Sequence, residues 1–342
     1  MGNPRKTEEP RYGVILPVRN GGQYVKECVG SIISQSLPGF DLLVLDNCST
    51  DGTLEWLQSL SDQRIKLYPA DRPLSIEENW GRIVSIPKNE FITLIGHDDI
   101  LDPWYLETMD SLIRRHPEAG LYQAHFRYID SQGATIRKCK PMDERQSSQE
   151  FLSFFLAGLI DNMGTGYMMR SAHYDEAGGI PPYPNLLFAD FELWIRLSLR
   201  GYKATAFREC FAFRQHQSTT TTSADSKYHL AFERFIGYLE QLVAEQPAML
   251  ESVERYGPTF LLDYCKGLSH RLLRTPLRKR NGKRVAAFIA DCQSYGGRLF
   301  PDARFDPYRL FSLRLAREVD RWALTRALFL LFKRVYPKPV IK

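Results

Sequence analysis

Short apolar runs alternate with stretches of helical spacing over the first 95 residues. Residues 12–16 (YGVIL), 41–45 (DLLVL), 65–68 (IKLY) and 91–95 (FITLI) each read as a strand. The last, with its β-branched members, reads as a buried strand of a parallel sheet. Tyr24, Cys28, Ile32, Ile33 and Leu37 recur at helical spacing until Pro38 and Gly39 end the helix. Leu54, Trp56, Leu57 and Leu60 mark a second helix. Residues 74–86 mark a third, with Ile76, Trp80, Ile83 and Val84 on one face. The βαβαβαβ order predicts a doubly wound, mostly parallel α/β sheet. No GxGxxG follows the first strand, so the dinucleotide fingerprint is absent. Beyond residue 222 the spacing is helical throughout, and a basic connection broken by Pro and Gly (residues 271–284) interrupts it.

The strand at 91–95 runs through Gly96 and His97 into two adjacent carboxylates, Asp98 and Asp99. In open α/β sheets ligands bind beyond the carboxyl ends of the strands. An acid pair there suits Mg²⁺ or Mn²⁺, which take oxygen ligands and complete their shells with substrate phosphates. The competing reading is a cap: Pro103 fits the first position of a helix that Asp98, Asp99 or Asp102 would cap. Asp46, at the end of the second strand, either caps its turn or accepts a hydrogen bond from a pyrimidine N–H. Arg72, after the third strand, either reaches a base or phosphate or is a solvated surface side chain.

The order PVRN, helix, SIISQSLPGFDLLVLDNCSTDGT resembles the start of a family 2 glycosyltransferase of the GT-A fold. ENWGRIVSIPKNEFITLIGHDDILDP is similar to that family's next block, which ends in its DxD-type metal motif. MGTGYMMRSAHYDEAGGIPP, FADFELWIRLSLRGY and FRQHQSTTTT follow in the family's order, so the match covers residues 11–222. The resemblance implies inverting sugar transfer from a nucleotide-diphosphate donor. Asp46 would then contact the base, with Pro17, Val18 and Asn20 lining the slot. Asp98 would hold the cation, and Asp99 would be a ligand, a ribose contact or an orienter, with His97 near the ribose. His216 would contact metal or pyrophosphate and so favour Mn²⁺, and Arg214 would serve the diphosphate. Asp190 would be the general base. Its other reading is the N-cap of the helix that carries Leu193, Trp194 and Leu197. Glu192 is the second candidate base, and Gly164, Thr165 and Gly166 would let the backbone approach the sugar. Three positions depart from the family pattern: Gly96 replaces the first acid of DxD, Ala189 the acid before Asp190, and Asn47 the second acid after Asp46.

Composition refines this picture. With 44% hydrophobic and 25% charged residues the chain is of ordinary globular type. It divides on this reading into a disordered N-terminus (1–10), a GT-A catalytic domain (11–224) and a helical, basic C-terminal region (225–342). The net charge of +5 hides an asymmetry: from Lys266 onward there are 19 Lys/Arg against 5 Asp/Glu, and 26 against 35 before it. A basic amphipathic helix with Trp322 and Phe332 among its arginines suits an anionic membrane surface. Packing on the catalytic domain is the alternative, and without a nucleic-acid module no nucleic-acid partner is expected. Six scattered cysteines fit a reducing compartment, and no signal peptide or membrane-spanning run is read. The expected setting is cytoplasmic, peripheral on the inner face of the plasma membrane. The expected acceptor is a glycan or lipid-linked glycan of a surface polysaccharide such as lipopolysaccharide. Alternative functions are a nucleotidyltransferase that makes a nucleotide sugar, and a catalytically degenerate binder of sugar nucleotides.

Overall fold

The computed structural model describes residues 10–215 and 227–335. The chain divides into two units, residues 1–151 with 160–216, and residues 152–159 with 217–342. The first nine residues, His216 and the Ser/Thr-rich stretch after it lie outside the described residues, so the expectations placed on them are not addressed by the structure.

The first unit is built on one mixed sheet. Its strands are β1 (Tyr12–Val18), β2 (Phe40–Asp46), β3 (Ile65–Leu67), β4 (Phe91–Leu94), β5 (Ile100–Leu101), β6 (Leu121–Ile129), β7 (Thr135–Lys138), β8 (Arg145–Gln146), β9 (Tyr167–Arg170) and β10 (Lys203–Arg214). Their order is β3-β2-β1-β4-β9-β6-β10-β5, with β7 on β6 and β8 on β10. The β3-β2-β1-β4 half is parallel, as the alternation predicts. β9 then runs antiparallel to both β4 and β6, while β10 is parallel to β6. All seven residues of β1 are buried, as a strand covered on both faces requires.

The helices of this unit are α1 (Gly22–Ile33), α2 (Thr53–Ser59), α3 (Ile76–Gly81), α4 (Tyr105–Arg115), the first residues of α5 (Ser148–Leu156), which belongs to the second unit from residue 152 on, α6 (Ser171–Glu176) and α7 (Ala189–Ser198). Two local expectations are corrected. The third helix ends at Gly81 and continues as a 3₁₀ turn, Arg82–Ser85. Its buried residues are Asn79 and Ile83, while Ile76 is exposed, because Asn79 reaches inward to donate to the Leu45 carbonyl at 3.3 Å. The helix after the acid pair starts at Tyr105, not Pro103, and no side chain caps it. β5 separates it from Asp98 and Asp99, and Asp102 is engaged in a bidentate ion pair with Arg127 at 2.7 and 2.8 Å. Capping therefore does not account for these three aspartates.

The second unit contains α8 (Lys227–Glu245), α9 (Leu250–Arg274), α10 (Val285–Leu299), α11 (Phe311–Arg321) and α12 (Ala323–Val335). Phe232 stacks on Tyr264 at 5.0 Å, and Phe260 packs against Phe155 and Phe235 in the same aromatic cluster. The basic connection is not simply a solvated run. Arg280 is buried, pairs with buried Asp320 at 2.6 Å and donates to the Thr275 carbonyl. Asp320 also accepts the Val285 N–H at 2.9 Å, at the start of α10. Asp320→Ala strands the Arg280 charge and is expected to destabilise this unit by about 3–5 kcal/mol. A denaturant titration followed by circular dichroism checks this, and an unchanged midpoint would show the pair to be dispensable. Among the described residues no helix is long and apolar enough to cross a membrane.

Candidate active site

The carboxyl ends of β1 and β2 lie side by side, with Val18 in register with Asp46. Asp46 is 1% exposed; its Oδ2 accepts the Ser49 N–H at 3.1 Å, while its Oδ1 is buried and has no hydrogen-bond partner among the described residues. A buried acceptor left unmet needs an explanation, and a ligand donor supplies one. Pro17 and Val18 are buried beside it. Asn20 takes a left-handed conformation (φ 54°) and joins the two loops: its Oδ1 accepts the Thr50 N–H at 2.7 Å, and its N–H donates to Ser49 Oγ at 2.9 Å. Asn47 donates to the Leu74 carbonyl (2.9 Å) and accepts the Leu74 N–H (2.7 Å). A carboxylate could only accept, so this departure from the family's acid pair has a structural reason.

Arg82, which sequence reasoning missed, reaches the carbonyls of Asp46 (3.4 Å), Tyr68 (2.7 Å) and Pro69 (3.1 Å), closing the ends of β2 and β3. Arg72 is exposed and pairs with Glu78 at 2.8 Å. Both arginines line a cleft of about 660 Å³, with Ala70 and Leu74 in its wall.

Beyond β4 the two acids of the pair have different surroundings. Asp99 is 2% exposed and both its oxygens are engaged: Oδ1 accepts the Arg214 N–H at 3.0 Å, and Oδ2 the Thr165 hydroxyl at 2.6 Å. Burial and the neighbouring Asp98 charge push its carboxyl well above the usual range. Asp98 is partly exposed, as is His97. A Cβ on Gly96 would lie 2.8 Å from Asp98 Oδ1 and 3.1 Å from Asp99 Oδ2, so the glycine leaves room for the two carboxylates. Arg214 is turned inward. Its Nε holds the Asp98 carbonyl (2.8 Å), Nη1 the carbonyls of Asp130 and Ser131, and Nη2 the Glu27 carboxylate (2.7 Å). That geometry makes it a fastener of the acid loop and not an outward phosphate donor.

Among the described residues no three His, Cys, Asp or Glu side chains converge as a cation cage. The arrangement fits instead a cation held by one carboxylate and the oxygens of a bound diphosphate, the usual manner for Mg²⁺. Asp98, partly exposed, lies on the solvent side of the pair, and Asp99 is buried behind it.

Asp190 lies in the first turn of α7, inside a helix whose N-cap position is Phe188 in the left-handed region (φ 67°). It is therefore not the N-cap. Its Oδ2 accepts from Asn162 Nδ2 at 3.3 Å, and burial pushes its carboxyl up to about 6. Asn162 in turn accepts from the Tyr167 hydroxyl at 3.3 Å, and Tyr167 stacks on Trp194 of α7 at 4.4 Å. Trp194 Nε1 donates to the Met163 carbonyl at 3.0 Å. Ala189 is fully buried, so an acid at that position would put a second carboxylate beside Asp190. Glu192 is occupied by the Tyr183 hydroxyl and by Arg196.

The loop at residues 162–166 brings the two acidic centres together. Thr165 binds Asp99, Asn162 binds Asp190, and a Cβ on Gly164 would sit 3.7 Å from Asp190 Oδ2. Gly166 has φ 78° and donates its N–H to the Leu94 carbonyl at 2.9 Å. A Cβ there would meet the Phe211 ring at 2.8 Å. Gly166→Val is therefore expected to cost roughly 2–4 kcal/mol through strain and overpacking together. A thermal unfolding midpoint equal to that of the wild type would contradict this.

Residues 13–176 match the family described as Glycosyl transferase family 2. These residues, just under half of the chain, belong to this family. A teichuronic acid biosynthesis glycosyltransferase of Bacillus subtilis, TuaG, is 24% identical over 242 residues, spanning 68% of this chain and 88% of that protein. An uncharacterized glycosyltransferase of Rickettsia typhi is 21% identical over 251 residues, spanning 72% of this chain and 77% of its own length. Among solved structures, residues 1–349 of S. aureus TarS in complex with UDP-GlcNAc superpose with a TM-score of 0.59 at 14% identity, covering 91% of both chains. The family 2 chain is thus a glycosyltransferase with the GT-A architecture.

Proposed function

We propose that this glycosyltransferase moves a sugar, with inversion, from a nucleotide-diphosphate donor to a hydroxyl of a glycan or lipid-linked glycan acceptor, in the making of a surface polysaccharide such as a lipopolysaccharide. The observation that carries this is the loop at residues 162–166, which binds Asp99 through Thr165 and Asp190 through Asn162. A donor-side acid pair and a separately held carboxylate are what single displacement asks for.

The unmet Asp46 Oδ1 accepts from the base, with Pro17 and Val18 lining the slot. A neighbour of the same fold is described with UDP-GlcNAc, which makes uridine diphosphate the first nucleotide to try. Asp98 and the donor phosphates would hold Mn²⁺ or Mg²⁺, which supplies Lewis-acid stabilisation of the departing diphosphate. Asp190 takes the proton from the acceptor hydroxyl as its oxygen attacks the anomeric carbon. The bond from that carbon to the phosphate oxygen breaks on the opposite face, and the nucleoside diphosphate leaves. A carboxyl near 6 is mostly ionised at pH 7, yet basic enough to take a proton. One relative, TuaG, is a teichuronic acid biosynthesis glycosyltransferase, which supports a polysaccharide acceptor. A lipid-linked acceptor would set the enzyme at the cytoplasmic face of the membrane.

The test is the pH profile of kcat/KM. Asp190 must lose its proton to work, so the rate should fall as pH drops through about 6. The Asn162 bond favours the ionised form, so Asn162→Ala should move that limb upward. A profile flat from pH 5 to 8, or an unmoved limb in the variant, would remove Asp190 from the base role.

A further inference from the structure

We propose that α11 and α12 form a docking surface for an anionic lipid bilayer, lying in its interface and not crossing it. This deepens the proposed function by naming what brings a lipid-linked acceptor to the enzyme, and rests on that reading for its setting only.

The geometry of α12 is the reverse of an ordinary surface helix. Leu324, Leu328, Leu331 and Val335 fall at i, i+4, i+7 and i+11, a single stripe, and each is more than half exposed. No residue of α12 is buried. The helix is fastened by its polar side: Arg326, opposite the stripe, donates from Nε to the Leu273 carbonyl (3.3 Å) and from Nη2 to the Thr275 carbonyl (2.7 Å). α11 repeats the arrangement. It buries Leu313, Ala316 and Asp320, and turns Phe311 (70% exposed) and Leu315 outward, with Trp322 exposed at its end. So many large apolar side chains on two consecutive helices are far from the singly scattered kind that needs no explanation.

Charge decides between occupants. Arg314 and Arg321 on α11 and Arg334 on α12 flank the stripes. The two helices carry two acids, and both are engaged. Glu318 pairs with Arg317 (2.8 Å) and Arg321 (3.8 Å), and Asp320 is buried with Arg280. A second copy docking through this face would set arginine against arginine. An anionic headgroup layer meets the cations while its acyl boundary takes Phe311, Leu315, Trp322 and the Leu stripe. Aromatic and aliphatic residues on one face with Lys and Arg beside them are the composition of an interfacial helix.

The experiment is sedimentation of the full chain with vesicles of phosphatidylglycerol and phosphatidylcholine, against phosphatidylcholine alone. The full chain should pellet with the anionic vesicles at low salt, and much less in about 0.5 M salt, where exposed charges are screened within a few ångströms. It should stay in solution with phosphatidylcholine alone. The double substitution Leu328→Asp and Leu331→Asp, at exposed positions outside the helical core, should keep the unfolding midpoint and lower partitioning by about tenfold or more. Three results would overturn the proposal: a full chain that stays in the supernatant with anionic vesicles, a variant that pellets as well as the wild type, or equal pelleting on both vesicle types. A concentration-dependent dimer abolished by the same double substitution, with no vesicle binding, would assign the surface to a second copy instead. Neither donor nor acceptor enters the assay, so its failure and that of the transferase reading are distinguishable.

Discussion

Asp190→Asn is expected to lower the transfer rate by roughly a thousandfold or more while leaving donor-nucleotide binding unchanged, the range general acid–base catalysis contributes. An amide keeps the shape and the contact with Asn162 but cannot take a proton. The same substitution should make the protein more stable at pH 7. Burial holds the Asp190 carboxyl at about 6, above its unfolded value of 3.8. The unfolded chain therefore binds fewer protons between these values, and stability falls as pH rises through that window. At neutral pH the ionised group costs up to about 2–3 kcal/mol, at 1.4 kcal/mol per unit, less what its partial exposure screens. The amide removes that cost. Rapid loss of turnover together with a raised unfolding midpoint is the signature of a base held under desolvation. A variant that is inactive and less stable would instead point to a packing role in α7.

Asp98→Asn is expected to abolish the metal dependence of donor binding and to lower transfer by roughly a thousandfold, the several kcal/mol a cation contributes to developing phosphate charge. The Arg214 contact to this loop should persist, because it is made to the Asp98 backbone carbonyl, which the substitution leaves unchanged. Chelation of divalent cations should reproduce the loss in the wild type, and added Mn²⁺ should restore the wild type alone. Retention of Mn²⁺-dependent binding in the variant would assign the ligand elsewhere.

The parallel half of the sheet was legible because each strand is an apolar run closed by a turn, from residues 12–16 to residues 91–95. β9 is too short and too uniformly apolar for its direction to show in four residues, Tyr167–Arg170, and its antiparallel place follows from pairing with β4 and β6. The acidic positions could be singled out, but their division of labour could not. Asp98 and Asp99 are adjacent in sequence, and what separates them is the approach of Thr165 and Arg214 from distant segments. Arg214 carried a charge that suggested phosphate, and its inward turn depends on Glu27 and on carbonyls far along the chain. Asn162, Tyr167 and Arg82 gave no sequence signal because they act through neighbours. The one available hint was the three departures, of which Gly96 and Asn47 have local steric and hydrogen-bonding reasons.

The central claim is that the ends of β1, β2 and β4 form a nucleotide-diphosphate site and that Asp190 stands apart from it as the base. Calorimetric titration of UDP, GDP, CDP and dTDP, each with and without Mn²⁺, tests it on the wild type, Asp46→Ala and Asp190→Asn. One nucleotide should bind in a Mn²⁺-dependent way to the wild type and equally to Asp190→Asn, and should lose about tenfold or more in affinity with Asp46→Ala, the size of one charged hydrogen bond. Binding of none of the four by folded wild-type protein, or undiminished binding by Asp46→Ala, would contradict the account.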